Sequence, residues 1–167
     1  TVVRQPTWAR MSAIAPERST LGRVVHGRRL GIWGYGRIGW RVARYAQAFG
    51  MQVSVWGSEA SRAKAVADGF AAADSREAFF SNVDVLTLHL RLSDSTRHVV
   101  TAGDLARMKP DALLVNTSRA ELIAPGALEA ALRDGHPGAA AIDVFETEPL
   151  PPTAPLLQLE NLLATPH

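Results

Sequence analysis

The chain has 167 residues, 47% of them hydrophobic and 20% charged, with a formal net charge of +2, which suits one globular domain and excludes a disordered chain. Its basic residues are dispersed without interleaved aromatics, which argues against nucleic acid as a partner, and no apolar run reaches the roughly 18 residues of a membrane span. Cysteine is absent, which excludes disulfides, thiolate metal sites and a cysteine nucleophile and fits a cytoplasmic protein.

In chain order, residues 1–28 read as a mixed lead-in that packs on the core or arrives from another domain. Thr1-Val2-Val3-Arg4 is neither a start methionine nor a signal peptide, so the chain reads as an excised piece. Pro6, Pro16 and Gly22 limit this segment to helical turns, at Trp8-Ala9-Arg10-Met11 and from Leu21 to Val25. Residues 29–167 read as a single dinucleotide-binding domain. Arg29-Leu30-Gly31-Ile32-Trp33 is a short apolar strand that runs into Gly34-x-Gly36-x-x-Gly39, with a helical pattern from Trp40 to Phe49. In that context each glycine has a physical task. Gly34 permits the tight turn, Gly36 lets a pyrophosphate reach the backbone, and Gly39 lets helix and strand pack closely. The first free N–H groups and the positive end of the helix dipole then hold phosphate charge.

Met51 to Trp56 alternates as a second strand, followed by Gly57 and by Ser58 as N-cap of a helix from Glu59 to Asp68. Asp74-Ser75-Arg76-Glu77 opens a short helix through Phe80. Val83 to Leu90 is a nearly continuous aliphatic run, expected of a strand buried on both faces. A helix from Thr101 to Met108, a strand from Ala112 to Asn116, a helix from Pro125 to Arg133 and a strand from Gly138 to Val144 follow. Pro149, Pro151, Pro152 and Pro155 form a stiff loop before a last strand from Asn161 to Ala164. Strands alternating with helices at this spacing specify an α/β fold: a doubly wound parallel sheet of the Rossmann dinucleotide-binding type with helices on both faces. Metal-ligand spacing and a Gly-x-Ser-x-Gly elbow are both lacking.

Four motifs fall in one order: Gly34-Tyr35-Gly36-Arg37-Ile38-Gly39, Val115-Asn116-Thr117-Ser118-Arg119, Asp143-Val144-Phe145-Glu146-Thr147-Glu148-Pro149, and Thr165-Pro166-His167. Together, over roughly residues 20–167, they resemble the nucleotide-binding domain of the D-isomer-specific 2-hydroxyacid dehydrogenase family. The resemblance implies an NAD(P)-dependent oxidoreductase that interconverts 2-oxo acids and D-2-hydroxy acids. It also implies a second, substrate-binding domain absent from this chain, so that the piece alone is inactive. A homodimer through this domain is implied too, with Trp8, Trp40 and the proline loop as candidate contacts.

Arg119 follows a strand, at the carboxyl end of the sheet where such folds bind ligands, and its planar fork suits a carboxylate. By resemblance it is the family's catalytic arginine. His167 follows the last strand and can carry the proton of the reaction. Glu148 is the carboxylate that would stabilise its protonated form, and Glu146 is the rival; the family's glutamate is the last acid before the proline. Asp143 is expected to face the nicotinamide carboxamide and Thr117 to offer a carbonyl to it, while Arg37 and Ile38 offer backbone N–H groups to the pyrophosphate. The family often has a proline near Arg91, and this chain has none there. His89 reads as a packed strand-end histidine.

The end of the second strand bears on the cofactor. NAD-binding sites place an acid there on the ribose 2′-hydroxyl. Here Gly57 occupies that position, and Ser58 and Arg62 are placed to bind a 2′-phosphate, which favours NADP(H) over NAD(H). Glu59, two residues on, is the counter-candidate for the ribose. Two other readings share the fold: a non-catalytic nucleotide-sensing module like the related corepressors, and an S-adenosylhomocysteine hydrolase-like cofactor domain. The Asn-Thr-Ser-Arg and Asp-Val-Phe-Glu motifs argue against the latter.

Overall fold

Seven short strands, all parallel, form one sheet in a computed structural model that describes residues 23–167. In chain order the elements are β1 (Arg29–Trp33), α1 (Arg37–Ala48), β2 (Gln52–Trp56), α2 (Glu59–Ala67), β3 (Ala71–Ala72), α3 (Arg76–Asn82) and β4 (Val85–Leu88). They continue with α4 (Ala102–Leu105), β5 (Leu113–Asn116), α5 (Ala127–Asp134), β6 (Ala139–Ile142) and β7 (Leu162–Ala164). Short 3-10 turns at Ala120–Leu122 and Pro155–Gln158 complete the second half. The strand order β3-β2-β1-β4-β5-β6-β7 reverses direction between β1 and β4, and such a reversal opens the crevice in which doubly wound folds bind ligands.

The elements follow from local chemistry. In β1 every residue after Arg29 is buried, as a central parallel strand requires. In α1 the buried positions Gly39, Ala43 and Ala46 recur at helical spacing and are small, so the helix lies close to the sheet. Ser58 caps α2, its hydroxyl accepting from the Ser61 N–H at 3.2 Å, and Ser75 caps α3 in the same way from Ala78 at 3.0 Å. Thr101 and Asp104 form a capping box on α4. The Asp104 carboxylate also accepts from Arg76 Nε at 2.8 Å, which ties α3 to α4. Burial alone would raise the Asp104 carboxyl, but the bonds from Arg76 and Thr101 outweigh it and hold the group below the usual carboxylate range.

Several expectations shift. The first helix begins at Arg37, not Trp40, because extended Gly36 is its N-cap and the fingerprint's last residues are its first turn. The strand expected over Val83 to Leu90 pairs only at Val85–Leu88. The two-residue β3 was not anticipated, and Pro155 opens a 3-10 turn within the proline loop. Residues 23–25, the described part of the turn expected from Leu21 to Val25, are not helical. The turn expected at Trp8 lies outside the described residues.

The two faces of the sheet are unlike. α1 and α2 pack with Leu30, Ile32, Val53 and Val55 on one face. α3, α4 and α5 bury the other from β1 across to β6, around Trp33, Phe79, Phe80, Leu86, Leu88 and Leu114. Beyond β4 on the first face, Leu113, Val115, Ala139 and Ala141 are only half-buried and Leu163 is 62% exposed. Among the described residues no helix packs over that strip, and these five belong to neither core cluster.

Candidate active site at the carboxyl ends of the strands

The glycine fingerprint sits at the crevice with the geometry its chemistry demands. Gly34 has φ +103°, and a methyl group there would lie 2.7 Å from the His89 carbonyl oxygen. A methyl on Gly39 would lie 2.2 Å from the Gly34 carbonyl oxygen, so helix and turn are in direct contact. Around Gly36 there is open space to 4 Å. Two of the glycines are therefore sterically required by the protein itself, while the middle one leaves its space free. Tyr35 between them is 3% exposed and donates its hydroxyl to Asp68 at 3.0 Å. Burial and the Asp68 carboxylate push this phenol up to about 12. It is a pin between the glycine turn and the end of α2 that residue type alone did not reveal.

At the end of β2, Gly57 has φ +150°, a conformation that L side chains rarely adopt. The Ser58 hydroxyl caps α2 and also bonds Ser61 Oγ at 3.1 Å. Arg62 lies with its guanidinium 4.9 Å from the centre of the Trp56 ring, and its Nε is buried without a partner.

The remaining candidates gather beyond β5, β6 and β7. Thr117 and Arg119 are exposed in the turn after β5. Asp143, just past β6, has a buried carboxylate oxygen, Oδ1, without a hydrogen-bond partner. Glu148 Oε2 meets His167 Nδ1 at 3.2 Å across 19 residues, and its Oε1 accepts from the Phe145 N–H at 3.1 Å. The Phe145 N–H first, then His167, with Arg119 adding its charge, hold the Glu148 carboxyl below its ordinary value. Glu146, the rival acid, instead lines a cavity of about 280 Å³ behind the rim with Asn116, Ile123, Val144 and Leu156. His89 is half-buried, shares a hydrogen bond with Thr87 Oγ1 at 3.1 Å, and burial pushes its imidazole below its ordinary value.

The family model for the NAD-binding domain of D-isomer specific 2-hydroxyacid dehydrogenases matches residues 1–167. The chain belongs to this family. It is 41% identical over 165 residues to a glyoxylate reductase of Aeropyrum pernix, covering 99% of this chain and 49% of that protein. A phosphoglycerate oxidoreductase from Vibrio cholerae has 55% identity and a TM-score of 0.84, over 88% of this chain and 47% of that one. A 2-hydroxyacid dehydrogenase from Xanthobacter autotrophicus in complex with NADPH has 30% identity and a TM-score of 0.80, over 97% and 51%. The chain thus spans about half the length of the relatives it matches. The 2-hydroxyacid dehydrogenase resemblance and the Rossmann-type sheet read from the sequence both stand.

The residues present fit a dinucleotide. The open space at Gly36 leaves room for a pyrophosphate, and the α1 N-terminus that follows has no side-chain cap, so its N–H groups are available to one. The unpartnered Asp143 oxygen is an acceptor that awaits a donor such as a carboxamide. Asn116 and Ser118, which the sequence marked only as members of the Val115–Arg119 motif, have tasks of their own here. Asn116, 1% exposed, accepts from the Ser118 N–H and donates to the Arg119 carbonyl, and Ser118 Oγ donates to Leu90 O at 2.7 Å. Their signal was an amide closing an otherwise aliphatic strand. Among the described residues no helix is long and apolar enough to cross a membrane.

Proposed function

We propose that this chain is the cofactor-binding half of an oxidoreductase that interconverts a small 2-oxo acid and the D-2-hydroxy acid. The observation that carries the reading is the Glu148–His167 contact at 3.2 Å, with Arg119 near enough to act on the same carboxylate. Bound nicotinamide supplies or accepts the hydride. Arg119 grips the substrate carboxylate through its fork and polarises the adjacent carbonyl. His167 protonates the oxygen as the alcohol forms and takes the proton back in oxidation, and Glu148 holds the imidazole in place through its Nδ1. Asp143 and the carbonyl of Thr117 face the carboxamide. Gly34, Gly36 and Gly39, with the N–H groups of Arg37 and Ile38, hold the pyrophosphate.

For the cofactor the reading is NADP(H). Gly57 carries no carboxylate to repel a 2′-phosphate, and its φ of +150° makes an acid there strained. Arg62, one helical turn after Ser58 and stacked on Trp56, receives that phosphate in this reading. A homodimer is part of the same reading, supported by an apolar stripe on the outer side of α1, where Ile38, Tyr45 and Phe49 are each about two-thirds exposed. Trp40 contributes less to it, being half-buried with Arg44 stacked at 5.3 Å, and Trp8 lies outside the described residues.

The test is oxidation of NADPH and NADH by the full-length protein with glyoxylate, hydroxypyruvate and larger 2-oxo acids, read by the loss of reduced-nicotinamide absorbance. NADPH consumption that depends on a 2-oxo acid is expected. Binding of cofactor with no turnover of any 2-oxo acid would replace the enzyme with a nucleotide-sensing module.

A further inference from the structure

We propose that Asn116 is the positioning residue that aims Arg119 at the substrate carboxylate, without touching substrate itself. The inference rests on the reading of Arg119 given above. Asn116 is the last residue of β5, between Leu88 of β4 and Ile142 of β6 in the sheet register, and is 1% exposed. An amide in such surroundings is costly unless both of its ends are satisfied. Both are satisfied within the next three residues. Oδ1 accepts from the Ser118 N–H at 3.1 Å, and Nδ2 donates to the Arg119 carbonyl at 2.9 Å. The side chain therefore closes the turn that carries Arg119, replacing the ladder hydrogen bonds that end with the strand.

The chemistry is specific to asparagine. Aspartate offers no donor to the Arg119 carbonyl and would bury a charge, and serine is too short to bridge both groups. A second anchor fixes the turn from outside, because Ser118 Oγ donates to Leu90 O at 2.7 Å. Leu90 follows His89, whose carbonyl lies against Gly34, so the arginine turn and the glycine turn rest on one short segment. Arg119 itself is exposed, and among the described residues its fork makes a single hydrogen bond, from Nη1 to Ser118 O at 2.6 Å. Its aim is thus set by its backbone and not by packing of its own side chain, and the rest of the fork is left for a ligand.

The experiment uses the full-length protein and three variants, Asn116→Asp, Asn116→Leu and Ser118→Ala, beside Arg119→Ala. Both Asn116 variants are expected to lose about a hundredfold in kcat/KM for the 2-oxo acid and Ser118→Ala about tenfold, with the Kd of NADPH within about twofold of the parent. Asn116→Asp is further expected to regain activity as pH falls, because a protonated acid recovers the donor to the Arg119 carbonyl, whereas Asn116→Leu is not; a merely structural loss would not separate the two. An unchanged kcat/KM, or a loss matched by an equal weakening of NADPH, overturns the proposal. If the Asn116 variants do not fold, Ser118→Ala decides by the same two readings. If Arg119→Ala is itself as active as the parent, the role of Arg119 falls; if it is inactive while the other variants are normal, only the positioning role of Asn116 falls.

Discussion

The two sides of the crevice are built by opposite means. On the β1–β2 side the glycine turn offers backbone, fixed by steric contact: Gly34 against His89, Gly39 against Gly34, Tyr35 pinned to Asp68, with Ser58 and Arg62 as the candidate side chains. On the β5–β7 side they are side chains near solvent. Arg119 is exposed, and Glu148 and His167 keep 40% and 51% of their side-chain surface accessible while holding each other. One side is fixed by steric contact within the protein itself. The other is a set of chemical groups on an exposed rim. On the proposed function, cofactor affinity is expected to depend on the first side and turnover on the second.

The largest effect expected of a single change is on the rim. Arg119→Lys in the full-length protein should lower kcat/KM by about a hundredfold or more, because a point charge cannot reproduce the fork. The Kd of NADPH should stay within about twofold, which fluorescence titration reads. Parallel losses of both would erase the distinction between the sides. Next come two changes on the binding side that look alike in sequence. Gly39→Ala forces a methyl against the Gly34 carbonyl, so both thermal stability and NADPH binding should fall. Gly36→Ala meets no protein atom within 4 Å, so the melting temperature should hold while NADPH binding falls about tenfold or more. Equal melting losses in the two would mean that the open space at Gly36 has no ligand to serve.

Glu148→Gln should cost about tenfold to a hundredfold in kcat/KM with little change in cofactor affinity. Here the sign of the pH effect is fixed. The Glu148 carboxyl is held below its ordinary value, so its contact with His167 is fully present above about pH 4.3 and is lost as pH falls through the lower folded value. A titration of kcat/KM between about pH 5 and 8 therefore belongs to another group, and it should persist in Glu148→Gln. Its disappearance there would return the role to the carboxylate. The smallest effect is on selectivity: Arg62→Ala should weaken NADPH by about tenfold and leave NADH nearly unchanged. An equal loss for both cofactors would make the Trp56 stack a purely structural contact.

The binding side was the more legible in the sequence, and the reason is stereochemical. A φ of +103° or +150° is rarely adopted by any residue but glycine, and a close approach excludes a Cβ, so the backbone's needs at Gly34, Gly39 and Gly57 are written as residue types. The start of α1 was misplaced by three residues because its N-cap is a glycine that offers no side-chain signal. Two alanines make β3, and no periodicity can announce a two-residue strand. On the rim, motif order suggested Arg119, Glu148 and His167, and the last acid before the proline suggested Glu148 over Glu146, but the contact between Glu148 and His167 spans 19 residues and is set by where β6 and β7 end. Asn116 was legible as part of the Val115–Arg119 motif but not in its task, since the hydrogen bonds that give it one point forward into the turn. The Arg62–Trp56 stack was hidden for a similar reason: the residue types were visible, their orientation across strand, turn and helix was not.

The half-buried aliphatic strip on the open face of β5, β6 and β7 has a practical consequence at the bench. Leu113, Val115, Ala139, Ala141 and Leu163 offer the polypeptide 23–167 a greasy patch that water alone cannot shield. Purified by itself, it should bind environment-sensitive dyes, self-associate as its concentration rises, and require mild detergent or carrier protein in storage. A titration with nicotinamide cofactor is therefore best run dilute, where colloidal behaviour does not masquerade as binding.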